Sequence, residues 1–242
     1  MAEMKSRILF DERVNDINEY FEFIETLINK RPTMSYSDSE QNYLKKITIN
    51  ITHILKSNAF LILYNLIEAT VSNAIEDIHD EILNNNNLCV DLLCTNLTKI
   101  AFKNIDIKSI DELDFNTTNA SKIILTHWLN NHKNSINNNK NPLFAGNVDA
   151  KKIKEIAKKY GFSYSTDPII TKNGACLLFI KNARNSLAHG EYSFLEKGRD
   201  TSIDDLANFK NETINYLNKI LDNIATYIET KQYLREQISL PI

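Results

Sequence analysis

Residues 174–190 read GACLLFIKNARNSLAHG. Cys176, Ile180, Ala183 and Leu187 recur at spacings of 4, 3 and 4, the period of one helix face turned to a core. Leu178, Asn182, Asn185 and His189 make a second, mostly polar stripe at the same spacing. Leu177, Lys181, Arg184 and Ala188 make a third that carries two cations. Gly190 stands where a helix of this length ends. The stretch predicts a helix with one buried face and one face dense in phosphate-binding and proton-transferring groups.

The neighbouring segments repeat the helical period. Ser202 is a good N-cap with Asp205 three residues on, and a helix to about Leu234 carries Leu206, Phe209, Leu217, Leu221, Ile224 and Ile228 as its apolar stripe. Phe10, Val14, Ile17, Phe21, Ile24 and Ile28 mark a first helix over about 7–30, ended by Pro32. A long helical region is expected from about Ser39 to Leu83, as one helix or as two broken near Ser57–Asn58. Helices follow near 89–103 and 119–131. The Asn-rich stretch 130–141 reads as a mobile loop. A short basic helix runs from Asp149 to Tyr160 and closes on Gly161.

Gly (5) and Pro (4) are too rare for a strand-and-turn protein. The expected fold is all-α: a single domain over 1–242 whose core helices fall at about 7–83 and 174–234, with a helical insertion over about 84–170.

A net charge of −3 gives no global sign of nucleic-acid binding, but the charge is divided. Residues 1–100 hold 9 Lys and Arg against 15 Asp and Glu, and residues 151–199 hold 10 against 4. A basic sector on a near-neutral protein suits a phosphate backbone. Three cysteines, Cys89, Cys94 and Cys176, do not make a disulfide framework, and a reducing cytoplasm is expected. No apolar run is interpreted as a membrane span: Ala59–Ile67 is short, and Asn65 and Glu68 interrupt it. His53, His79, His127 and His132 lack paired ligand spacing, and His79 with Cys89 and Cys94 is a loose set, so no metal or other cofactor is expected. Trp128 is expected in the core.

Arg184 and His189 carry the chemistry in this reading. RNA holds its own nucleophile, the 2′-OH. Cleavage needs that proton removed, a crowded phosphorane-like transition state stabilised and the leaving 5′-oxygen protonated. A guanidinium and an imidazole supply these functions without metal. Asn185 lies four residues before His189 and can orient the ring. Arg184 and His189, five apart, are separated by roughly 140° around an ideal helix. Either Gly190 releases His189 from helical geometry, or two copies face each other and share one cleft.

The run Arg184-Asn185-Ser186-Leu187-Ala188-His189 resembles the Arg-polar-x3-His signature of HEPN domains. Its context matches as well: a penultimate helix, Gly190, then a long last helix. Phe179–Leu234, the Leu63–Ala69 helix and the Gly146–Asp149 segment look like the MAE-type HEPN subgroup, while residues 1–56 carry no signature. The resemblance implies a homodimeric, metal-independent ribonuclease serving as a toxin or anti-phage effector, with an antitoxin or defence partner. It maps catalysis to Arg184 and His189, with Asn185 beside them. Glu68 or Asn65 would support them from an earlier helix. Lys181 is a candidate RNA contact and Tyr192 a candidate cleft residue. Some HEPN toxins carry a modifiable Tyr two residues after the His; here that position is Glu191. The competing expectation is a non-catalytic HEPN module that binds nucleic acid or a partner.

Overall fold

The computed structural model describes residues 4–38, 41–104, 120–138 and 146–235. Helix α1 (Lys5–Lys30) lays Phe10, Ile17, Phe21, Ile24 and Leu27 into the core. It stops where Arg31 turns left-handed ahead of Pro32.

The next segment corrects the expectation of helix from Ser39. Thr33–Asp38 (β1) and Gln41–Lys46 (β2) form an antiparallel hairpin, and Tyr36 pairs with Tyr43. Their rings stack at 5.2 Å, and cross-strand aromatic pairs of this kind stabilise a two-stranded ribbon. Alternating Thr, Ser and Tyr favour the pleat over the helix.

Helix α2 (Ile49–Asn84) is unbroken. Ser57 does not interrupt it, because its hydroxyl donates to the Phe194 carbonyl instead of competing for its own helix. By length and composition alone α2 is long and apolar enough to cross a bilayer, which the short run at Ala59–Ile67 did not suggest. Here it is the central helix of a bundle, with Phe60, Leu63, Tyr64, Ile67, Ile75 and Ile78 inaccessible.

A 3-10 turn (Val90–Leu92) and α3 (Thr95–Lys103) follow. Helix α4 (Ala120–Asn137) runs through much of the stretch expected as an Asn-rich loop. The reason is tertiary: His132 is buried against His79, ring centroids 4.3 Å apart, and Trp128 packs on the same ring at 5.1 Å. Residues 139–141 of that stretch lie outside the described residues. Helix α5 (Ala150–Tyr160) starts on Asp149, whose carboxylate accepts from the Lys152 amide at 2.9 Å, and ends on left-handed Gly161.

Helix α6 (Pro168–Thr171) leads through a 3-10 turn into α7 (Ala175–Ala188), which buries Cys176, Leu177, Ile180, Ala183 and Leu187. A short helix missing from the sequence reading, α8 (Phe194–Arg199), opens with a capping box between Ser193 and Glu196. It sits so close to α2 that a Cβ on Gly198 would fall 1.8 Å from the His53 carbonyl oxygen. Helix α9 (Ile203–Glu229) is capped by Ser202 as expected but ends before Leu234.

α1, α7, α8 and α9 all pack on α2. The 84–170 region shares this core: Tyr227 Oη donates to the Tyr160 carbonyl, and the Cys94 amide donates to the Tyr233 carbonyl at 2.8 Å. Arg7, reaching Asn218 Oδ1 at 2.6 Å, ties α1 to α9.

Candidate active site

Helix α7 begins at Gly174, left-handed at φ 75°, where a Cβ would meet Ala150 and Tyr216 below 3 Å. Only glycine lets the helix start so close to α5 and α9. The far end closes as a Schellman motif. The Glu191 amide donates to the Ser186 carbonyl at 2.9 Å and the Gly190 amide to that of Leu187 at 3.3 Å, with Gly190 at φ 72°. His189 is therefore the C-cap residue (φ −90°, ψ −1°), its side chain exposed. Among the described residues its ring makes no hydrogen bond.

Arg184 is held at the opposite side of the turn. Its guanidinium carbon stands 4.8 Å from the centroid of the Tyr64 ring on α2, and Nη1 donates to Asn185 Oδ1 at 3.1 Å. Asn185 Nδ2 donates in turn to Asn147 Oδ1 at 2.9 Å. The loop carrying Asn147 passes close over the guanidinium: a Cβ on Gly146 would lie 3.8 Å from both terminal nitrogens. The Val148 amide donates to Tyr64 Oη at 3.1 Å, deep in the core. Burial raises the Tyr64 phenol above its usual pKa against the opposing Val148 hydrogen bond; the Glu68 carboxylate beside it raises it further, and Arg184 lowers it. The phenol is thus a neutral platform for the cation.

One step along the loop, Asp149 accepts from Lys181 Nζ at 2.5 Å, both side chains mostly buried. Burial alone would raise the Asp149 carboxyl. The Lys181 ammonium and the first amides of α5 outweigh it and hold it below the usual carboxylate range. Lys181 is thereby engaged by a carboxylate on the protein itself.

Arg184, Asn185 and, through Tyr64, Glu68 are brought together. Asn65, next along α2, is exposed and makes no side-chain hydrogen bond among the described residues. Tyr192 is 50% exposed beyond the Schellman turn. The His189 amide donates to the Asn185 carbonyl at 2.9 Å, but among the described residues no side-chain contact within one chain joins Arg184 or Asn185 to the His189 ring; the exposed stripe Leu178, Asn182 and His189 faces solvent. Tyr64, Asn147 and Asp149 had no assigned role in the sequence reading. The signal for them was the Leu63–Ala69 and Gly146–Asp149 resemblance, which marked the segments without saying that they meet at Arg184.

His79 Nε2 lies 3.0 Å from the Tyr160 hydroxyl, and among the described residues no three His, Cys, Asp or Glu side chains are grouped to hold a metal.

The family model HEPN_MAE_28990/-like HEPN matches residues 5–233. The chain belongs to this HEPN family. The match extends across the helical bundle, the Gly146–Asp149 loop and α7, and it includes residues 5–56, where the sequence alone carried no signature. The chain matches no curated protein and no solved structure. The HEPN assignment agrees with the all-helical bundle and its minor hairpin, and it supports a nuclease-like or nucleic-acid-binding module.

Proposed function

We propose that this HEPN protein is a metal-independent endoribonuclease that acts as a homodimer, with Arg184 and His189 as catalytic residues. The observation that carries the reading is the division of labour along α7. Arg184 is pre-positioned on Tyr64 by Asn185 and the Gly146–Val148 loop, while the Schellman turn presents His189 to solvent at the helix end. Pre-positioned donors around a developing charge avoid reorganisation during reaction.

A second copy facing the exposed stripe of α7 brings His189 of one chain to Arg184 of the other. In that site one imidazole takes the proton from the 2′-OH, and the 2′-oxygen attacks phosphorus. The P–O5′ bond breaks, and the other imidazole protonates the 5′-oxygen. The products are a 2′,3′-cyclic phosphate and a 5′-hydroxyl. Arg184 neutralises the non-bridging oxygens, and Asn185 orients the pair. Glu68 supports Arg184 through Tyr64. Asn65, Tyr192 and Lys181 are secondary members; for Lys181 to reach RNA its pair with Asp149 must open. The role is that of a toxin or anti-phage effector in the cytoplasm, restrained by an antitoxin or defence partner.

Purified protein incubated with single-stranded RNA in EDTA tests this reading. Cleavage that His189→Ala abolishes, without loss of the dimer, supports it. Cleavage undiminished in that variant overturns it. A non-catalytic binding module is the second reading, and the separation of Arg184 from His189 within one chain favours it if the protein proves monomeric.

A further inference from the structure

The outer face of α5 has features the cleavage chemistry does not use. Ile153, Ile156, Ala157 and Tyr160 are buried, and Lys151, Lys154 and Lys158 form an exposed stripe on the other side. Among the described residues none of the three is paired with a carboxylate; the one acid on the helix, Glu155, is engaged by Lys152 at 3.7 Å. Lys154 Nζ stands 4.8 Å and Lys158 Nζ 6.0 Å from the Tyr164 ring centroid. Lys151, Lys154 and Tyr164 line a cleft of about 730 Å³ together with the hydroxyls of Ser163, Ser165 and Thr166. No acidic side chain lines it among the described residues. Tyr164 remains 38% exposed there.

This cleft is a short reach from the catalytic motif. Asn147 holds Asn185, and Ala150, three residues on, lines the cleft. Three residues of extended chain span at most about 11 Å. Between them, Asp149 is buried in its pair with Lys181, which offsets its charge.

We infer that the Lys151–Lys154–Lys158 stripe and the Tyr164 cleft form a path for the single-stranded RNA flanking the scissile phosphate, lysines on the backbone and Tyr164 against a base. The inference rests on RNA being the substrate of the Arg184–His189 site. Unpaired cations in a row beside an exposed aromatic ring and neutral hydroxyls are the composition of a sequence-tolerant single-strand groove. A duplex offers no free base face to Tyr164. The path extends the footprint to several nucleotides on one side of the cut.

The test uses the full chain and a labelled 2′-O-methyl oligouridylate of about 12 nucleotides, within the usual range for single-strand sites. It lacks the nucleophile, so binding is read without cleavage. Each phosphate contact in a single strand contributes about 0.7 to the slope of log affinity against log salt. Lys151→Gln/Lys154→Gln/Lys158→Gln should therefore flatten the slope by about 2, with an unchanged thermal melt because all three side chains are exposed. Tyr164→Ala should weaken binding by about tenfold, and Tyr164→Phe should restore it. A folded triple variant with wild-type affinity and slope overturns the path. So does a wild-type chain that binds no RNA at low salt, or one from which polyglutamate displaces the RNA at equal charge, which would mark an acidic protein face. Lysine-dependent binding in a chain that cuts no RNA sinks the nuclease reading and keeps the stripe and the Tyr164 cleft as a single-strand RNA surface with no scissile phosphate beside it.

Discussion

The Arg184 guanidinium rests on the Tyr64 ring, 4.8 Å from its centroid, although 120 positions separate the two residues in the chain. The same phenol accepts the buried Val148 amide at 3.1 Å. One side chain thus fixes both the cation and the loop that covers it.

These two roles separate in variants. Tyr64→Phe keeps the ring and strands the Val148 N–H, which should cost about 1–3 kcal/mol in urea unfolding with most cleavage retained. Tyr64→Leu also removes the cation's platform and should lower the cleavage rate by roughly ten- to a hundredfold. Equal rates in the two variants would show that the ring does not position Arg184.

The Schellman turn is testable at Gly190. A side chain there meets nothing within 4 Å, so Gly190→Ala is a clean probe of its φ of 72°. The left-handed backbone should cost about 1–2 kcal/mol. Cleavage should fall further than the melting temperature accounts for, because the turn sets the placement of His189.

The sequence made α1, α5, α7 and the cap of α9 legible because their apolar residues keep the helical period and because Pro32, Asp149, Gly161, Gly190 and Ser202 are local start or stop signals. Arg184, Asn185 and His189 could be read together as a candidate site for the same reason, as they lie on one helix and its C-cap. What stayed hidden depends on distant partners. The hairpin Thr33–Lys46 exists through cross-strand pairing of Tyr36 with Tyr43. α4 continues because His132 is buried on His79. Tyr64 serves Arg184 only because α2 and the Gly146–Asp149 loop cross there, which no local pattern encodes.

Acid should loosen the packing of α4 and α5 on α2. Burial lowers His79 well below the ordinary histidine value of 6.5, with His132 and Lys159 adding to it. Burial and Lys159 push His132 down to about 4. Between about 4 and 6.5 the unfolded chain therefore binds protons that the native one refuses, and stability falls as pH drops through that window. For His132 alone the loss is up to about 3 kcal/mol. Urea midpoints at pH 7 and pH 4.5 measure it, and His132→Phe, which keeps a ring but cannot protonate, should shrink the difference. An unchanged difference would mean that other groups drive the acid loss.

The close approach of α8 and α2 allows no side chain at Gly198. With the His53 carbonyl oxygen 1.8 Å from the new Cβ, Gly198→Ala must displace α8, and with it the Lys197 ammonium 4.9 Å from the Phe179 ring. A loss of about 3 kcal/mol or more in urea unfolding is expected. A loss below about 1 kcal/mol would show that α8 moves freely.

The most direct measurement maps RNA ends produced in EDTA by wild type, by His189→Ala, and by an equimolar mixture of His189→Ala with Arg184→Ala. The account predicts 2′,3′-cyclic phosphate and 5′-hydroxyl ends from wild type and none from either single variant. The mixture should regain a small part of the activity, since each mixed dimer unites one Arg184 and one His189 across the interface and leaves only one of the two proton transfers to water. Full cleavage by His189→Ala, or cleavage by wild type that EDTA stops, would contradict it.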